Sequence, residues 1–137
     1  MGLSLKQIVW AVVTADKTTN STAAPPTVVL LTTNVTIAST KSVVLVHFDV
    51  SFDNSVQAST SRFYLYFANT LVKGRKYPTS VQLTVPTPGA FSYKTTGLTA
   101  GSTAFEIRWQ TDGGTINCSA STKGSTRGAS LVIKEFA

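Results

Sequence analysis

The stretch "VVLVHFDVSFDN", residues 43–54, alternates almost without a break. Val44, Val46, Phe48, Val50 and Phe52 fall on one side of an extended chain, and His47, Asp49 and Ser51 on the other. Successive side chains of a strand point to opposite faces, so this period of two predicts a strand with one face in a core and the other toward water.

The same signal recurs in both directions. Upstream lie "KQIVWAVVTA" (6–15), rich in β-branched residues, and "TVVLLTTNVTIAS" (27–39). Between them "DKTTNSTAAPP" (16–26) is polar and then Pro-rich, which predicts a loop or extended linker. Downstream come "SRFYLYFANTLVKG" (61–74), "TSVQLTVP" (79–86), "AFSYKTTGL" (90–98), "STAFEIRWQT" (102–111), "GGTINCSAS" (113–121) and "GASLVIKEFA" (128–137). In 102–111 the residues Phe105, Ile107 and Trp109 face inward, with Glu106, Arg108 and Gln110 outward. No stretch sustains helical periodicity. Short strands punctuated by Gly, Pro, Asn and Ser/Thr predict an all-β protein. The expected fold is an antiparallel jelly-roll sandwich of about 8–10 strands. Residues 1–26 form an N-terminal segment, first strand or docking arm plus Pro-rich linker, and 27–137 the jelly-roll domain.

One strand breaks the alternation. In "SRFYLYFAN" (61–69), Phe63, Leu65 and Phe67 point one way, but Tyr64 and Tyr66, which point the other way, are also large. An outer sheet face should be polar. A second protein surface over Tyr64 and Tyr66 is therefore expected, the alternative being that a loop of the same chain covers them or that they snorkel.

Composition narrows the function. Of 137 residues only 13% are charged, and there are twelve Lys and Arg against six Asp and Glu, for a net charge of +6. The bases are scattered. The densest group, Lys73, Arg75 and Lys76 in "LVKGRKY", reads as a solvated turn, with Lys123 and Arg127 a looser second group. No run interleaves bases with aromatics, so specific nucleic-acid binding is not expected. The single cysteine, Cys118, excludes an intrachain disulfide and reads as a small buried hydrophobe beside Ile116. The N-terminal apolar run, Ile8 to Val13, is too short for a membrane span and lacks a clean leader-cleavage pattern.

The inventory for catalysis is thin: one histidine and six acids, Asp16, Asp49, Asp53, Glu106, Asp112 and Glu135. His47 and Asp49 share a strand face but lack a further obvious metal ligand. "TDGGT" (111–115) is a tight turn without the phosphate-loop pattern. No Ser-His-Asp arrangement can be read from spacing, so neither an enzyme nor a cofactor is expected.

The C-terminal third carries a resemblance. Gly97, Leu98, Ala100 and Gly101 form a Gly-Leu-x-Ala-Gly turn. Arg108 and Trp109 end a strand, and Gly113, Gly114 and Thr115 make a Gly-Gly-Thr turn. Ser130, Leu131, Ile133 and Glu135 mark a last strand. This pattern, with the layout of residues 27–137, resembles the small jelly-roll proteins of tailed-phage virions. Those look like tumour-necrosis-factor-type jelly rolls that assemble as trimers, and they occur as capsid decoration (cement) proteins, head fibres and tail modules.

The resemblance implies a homotrimer whose partner is the major capsid protein, on the capsid exterior, with Tyr64, Tyr66 and His47 at the trimer interface. Fibre versions carry coiled-coil or collagen-like repeats ahead of the jelly roll, and this sequence has none, which favours decoration. Residues 1–26 would dock the capsid, with Ile8, Val9 and Trp10 as apolar anchors, or 7–15 would be the first strand. The competing expectation is a fibre module that binds a receptor or glycan through Tyr77, Phe91 and Tyr93, residues that otherwise serve sheet packing.

Overall fold

The computed structural model describes residues 2–56, 59–79, 86–119 and 128–137. Ten strands follow one another: β1 (Leu5–Val12), β2 (Lys17–Thr19), β3 (Val28–Ile37), β4 (Val43–Asn54), β5 (Thr60–Phe67), β6 (Thr70–Pro78), β7 (Thr87–Thr96), β8 (Gly101–Thr111), β9 (Ile116–Cys118) and β10 (Ala129–Phe136). All pairings are antiparallel. One sheet runs β1-β10-β4-β7, with β9 and β2 continuing from the far end of β4. The other runs β3-β8-β5-β6. The chain switches sheets at six of the nine connections between these strands, and this is the jelly roll expected from the sequence.

The alternation in 43–54 places β4 in the middle of its sheet. Val44, Val46, Phe48, Val50 and Phe52 are all buried. They meet the inward residues of the facing sheet, Phe63, Leu65, Phe105, Ile107 and Trp109. An aromatic group at the centre links Phe48, Phe52, Phe63 and Trp109, with ring centroids 5.1 to 6.2 Å apart in tilted contacts. Such contacts add to the burial of apolar area that holds the two sheets together.

Two expectations change, and for residues 7–15 the strand alternative is the one seen. Residues 16–26 are not wholly loop, because Lys17–Thr19 pairs with β9. A three-residue strand leaves no periodic signal, and only its partner defines it. The group Lys73, Arg75 and Lys76 is not a turn but lies within strand β6. The reversal comes earlier, at Ala68 and Asn69, whose φ values of 47° and 67° suit a two-residue hairpin loop with both central residues left-handed. Residues 7–15 are mostly strand: β1 is hydrogen-bonded to β10 along its length and lies at the sheet edge. The expected strand at 79–86 falls mainly, and Lys123 and Arg127 fall wholly, outside the described residues. Among the described residues no helix is long and apolar enough to cross a membrane.

Cys118 is fully buried on β9 beside Ile116, as its alternation predicts. Burial pushes its thiol up to about 12, against a smaller opposing effect of Lys17. The thiolate is the reactive species, so the native protein should react with a disulfide reagent at pH 8 at less than about a hundredth of the rate of the urea-unfolded chain. Comparable rates before and after unfolding would contradict this burial.

Candidate functional site

The two outer faces of the sandwich differ in how well one chain covers them. On the four-stranded sheet, Tyr64 and Tyr66 point outward from β5, as the sequence indicates. Tyr66 is nonetheless only 4% exposed. The Arg108 guanidinium lies 4.0 Å from its ring centroid, a cation–π stack. Arg108 is in turn held by Glu106 and by Asn69 Oδ1, each at 2.8 Å. Tyr64 lies over Gly74 of β6, where an added Cβ would sit 2.6 Å from the ring. Gly74 therefore serves as a seat for an aromatic ring. Arg62 pairs with Asp112 at the end of this face. Arg108 of the same sheet thus covers Tyr66, while Tyr64 stays partly exposed.

The β1-β10-β4-β7 sheet is different. The strand register aligns its outward residues in rows. One row is Trp10, Val132, His47 and Ser92. The next is Ile8, Lys134, Leu45 and Lys94. The third is Val12, Ser130, Asp49 and Ala90. Trp10 is 71% exposed, Ile8 44%, Val12 39% and Leu45 37%. A groove of about 370 Å³ runs between Leu45, His47, Ser92, Lys94, Val132 and Lys134. Ile8, Trp10 and Val12 on β1, with Val132 beside Trp10, thus form an exposed apolar stripe bordered by Lys134, His47 and Asp49, and such a stripe suits an interaction site.

The candidate residues are regrouped accordingly. Tyr64 and Tyr66 lie on one outer face and His47 on the opposite one, so the three do not form a single patch. Ile8 and Trp10 share the face of His47, whereas Val9 turns inward and packs against the core. The three aromatic candidates for ligand binding are engaged in packing. Phe91 is buried, and Tyr93 packs edge-on to Phe67 at 5.8 Å. The Tyr77 ring lies against Gly89 while its hydroxyl donates to the Ala90 carbonyl at 3.1 Å.

The same face contains an arrangement that sequence spacing did not reveal. His47 Nδ1 lies 2.7 Å from Ser92 Oγ, and His47 Nε2 lies 2.8 Å from Asp49 Oδ2. Ser92 comes from β7, opposite His47 in the register, so only the strand pairing brings the three groups together. Both ring nitrogens thus have a partner, which restrains the imidazole on this face. His47 remains about half exposed, and no group of three metal-ligating side chains gathers among the described residues.

No protein-family model matches the chain, and comparison with curated proteins finds no significant relative. Solved structures do resemble it in fold. The CBM36-1 domain of a multidomain xylanase from the hindgut metagenome of Trinervitermes trinervoides is 13% identical with a TM-score of 0.51, over 93% of this chain and 96% of that one. The VP2 protein of the infectious bursal disease virus subviral particle is 14% identical with a TM-score of 0.53, over 96% of this chain and 38% of that one. The Eiger TNF of S. frugiperda is 13% identical with a TM-score of 0.52, over 94% and 93%. At these identities the likeness is one of fold, and the chain spans well under half of the VP2 chain.

Proposed function

We propose that the protein is a structural component of a virion, a homotrimer that decorates the outside of a tailed-phage head and bridges its major capsid subunits. The exposed apolar side chains on the outer face of the β1-β10-β4-β7 sheet carry this reading, because a lone copy leaves Trp10, Ile8, Val12 and Leu45 in water. A second copy covers that face in the trimer, with His47 at its centre. Jelly-roll likeness to a viral VP2 protein and to a TNF protein supports a chain built for assembly. The sequence pattern of residues 97–135 supports a jelly roll of the tailed-phage virion class, to which decoration proteins belong. Several weak contacts per trimer then add up to tight attachment, since each contact after the first is intramolecular.

The test is binding of the purified protein to phage heads assembled without it. Saturable binding, with heads that survive heating better when it is bound, is the expected result. A trimer that ignores heads but adheres to host cells would transfer the protein to a fibre.

A further inference from the structure

The outer face of the β1-β10-β4-β7 sheet also holds a nucleophile, a base and an orienting acid in one hydrogen-bonded line. Ser92 Oγ lies 2.7 Å from His47 Nδ1, and Asp49 Oδ2 lies 2.8 Å from His47 Nε2. What each group can do sets the direction of these bonds. An ionised carboxylate only accepts, so Nε2 carries the imidazole proton, and Nδ1 of the neutral ring is an acceptor. The Ser92 hydroxyl is therefore the donor, aimed at a base that is free to take its proton. Strand pairing holds the parts in place. His47 and Asp49 share one side of β4, and Ser92 stands opposite His47 on β7. Lys73 Nζ donates to the Ser92 carbonyl at 2.7 Å and ties the edge strand at that residue. Beside this line runs the groove between β10, β4 and β7, where Leu45 and Val132 offer apolar walls and Lys94 and Lys134 bring positive charge.

We propose that Ser92 is an activated nucleophile that takes the acyl group of a carboxylic ester, with His47 as its general base and Asp49 positioning the imidazole. Ser92 Oγ attacks the ester carbon while its proton passes to His47 Nδ1. The bond to the leaving alcohol then breaks as His47 returns that proton to it. Water releases the acid from Ser92 by the same two steps and restores both side chains. Backbone N–H groups lie in the plane of the sheet, so stabilising the oxyanion falls to Lys94 and Lys134 in the groove. Two ammonium groups in an open groove do this less well than fixed backbone donors. The substrate class is therefore an ester with a good leaving group, such as an aryl ester, and an apolar acyl chain that lies along Leu45 and Val132. The inference goes beyond the decoration reading and does not rest on it. A second copy seated over His47 closes the groove, so the reactivity belongs to the uncovered chain.

The test treats the full-length protein with a fluorescent fluorophosphonate, from which an activated serine oxygen displaces fluoride to leave a stable adduct, and maps that adduct by mass spectrometry. It is run on the wild type and on Trp10→Asp, in which the face is left uncovered. Trp10→Asp is then combined with Ser92→Ala, with His47→Gln, and with Ser130→Ala, a serine on the same face that stands opposite Asp49. All four side chains lie on the outer face, so each variant should fold, and an unchanged circular dichroism spectrum checks that. The expected result in Trp10→Asp is a single adduct on Ser92, absent with Ser92→Ala, formed about a hundredfold more slowly with His47→Gln and within about twofold of the same rate with Ser130→Ala. No adduct on Ser92, an adduct spread over several serines, or one that forms equally fast with His47→Gln would overturn the proposal. A wild type that labels Ser92 as fast as Trp10→Asp would uphold the nucleophile and contradict the covering of this face, so failure of one reading is told apart from failure of the other.

Discussion

Replacing Glu135 with alanine is expected to lower the melting temperature by about 10 °C at neutral pH, measured at fixed protein concentration. Glu135 lies on the inward side of β10 and is wholly buried. Its carboxylate accepts hydrogen bonds from the Gln7 side chain on β1, from the Ala38 amide at 2.7 Å and from the Ser42 hydroxyl at 2.8 Å. One side chain thus ties the edge strand, its neighbour and the β3–β4 connection together at one end of the sandwich. Hydrogen bonds to a charged group contribute roughly 1.5–3 kcal/mol each at most, and buried Ser42 would keep a polar group without its acceptor. A loss of about 3 kcal/mol in total follows, after partial rehydration of Gln7 and the exposed Ala38.

The same carboxylate sets a pH dependence. Burial pushes its pKa up, but the bonds from Gln7, Ala38 and Ser42 together outweigh burial and hold it below the usual carboxylate range. A group whose folded pKa is lowered contributes stability that is complete above the unfolded value, about 4.3, and is lost as pH falls through the folded value. The gap between wild type and Glu135→Ala should therefore be widest above about pH 5 and shrink on acidification. A gap that does not shrink below pH 4 would show that Glu135 acts through its shape rather than its charge.

The second large effect concerns assembly. Trp10→Asp is expected to weaken self-association at least a hundredfold, giving single chains at micromolar concentration by sedimentation. The position is 71% exposed in one chain, so the fold itself should tolerate the change. Burying an unpaired carboxylate in an apolar contact costs several kcal/mol, and the large indole surface is lost as well. The matching change on the other face, Tyr66→Asp, should instead lower stability, because it removes the ring stacked under Arg108. If Tyr66→Asp yielded well-folded single chains and Trp10→Asp kept the assembly, the assignment of the two faces would be reversed.

Much of this fold was legible in the sequence, for a definite reason. Where one face of a strand is buried and the other wet, the period of two is written into the residues, as in β4 and β8. Edge and very short strands carry less of it. β6 reads as a turn because its bases and Gly74 imitate turn chemistry, yet the glycine is there to seat Tyr64. β2 is visible only through β9.

The site was legible only in part. The sequence shows that Tyr64 and Tyr66 are large and outward-facing. It does not show that Arg108 and Gly74 stand next to them, because register decides that. For the same reason the sequence alone groups His47 with the tyrosines, although it belongs with Trp10 and Ile8 on the other sheet, and gives no sign of its contact with Ser92.

The most direct test is the light-scattering mass of the purified wild-type protein over a range of concentrations. A mass three times the 14.5 kDa of one chain, falling to a single chain for Trp10→Asp, is the predicted result. A wild-type protein that stays at 14.5 kDa at every concentration, with Trp10 open to an aqueous quencher, would contradict it.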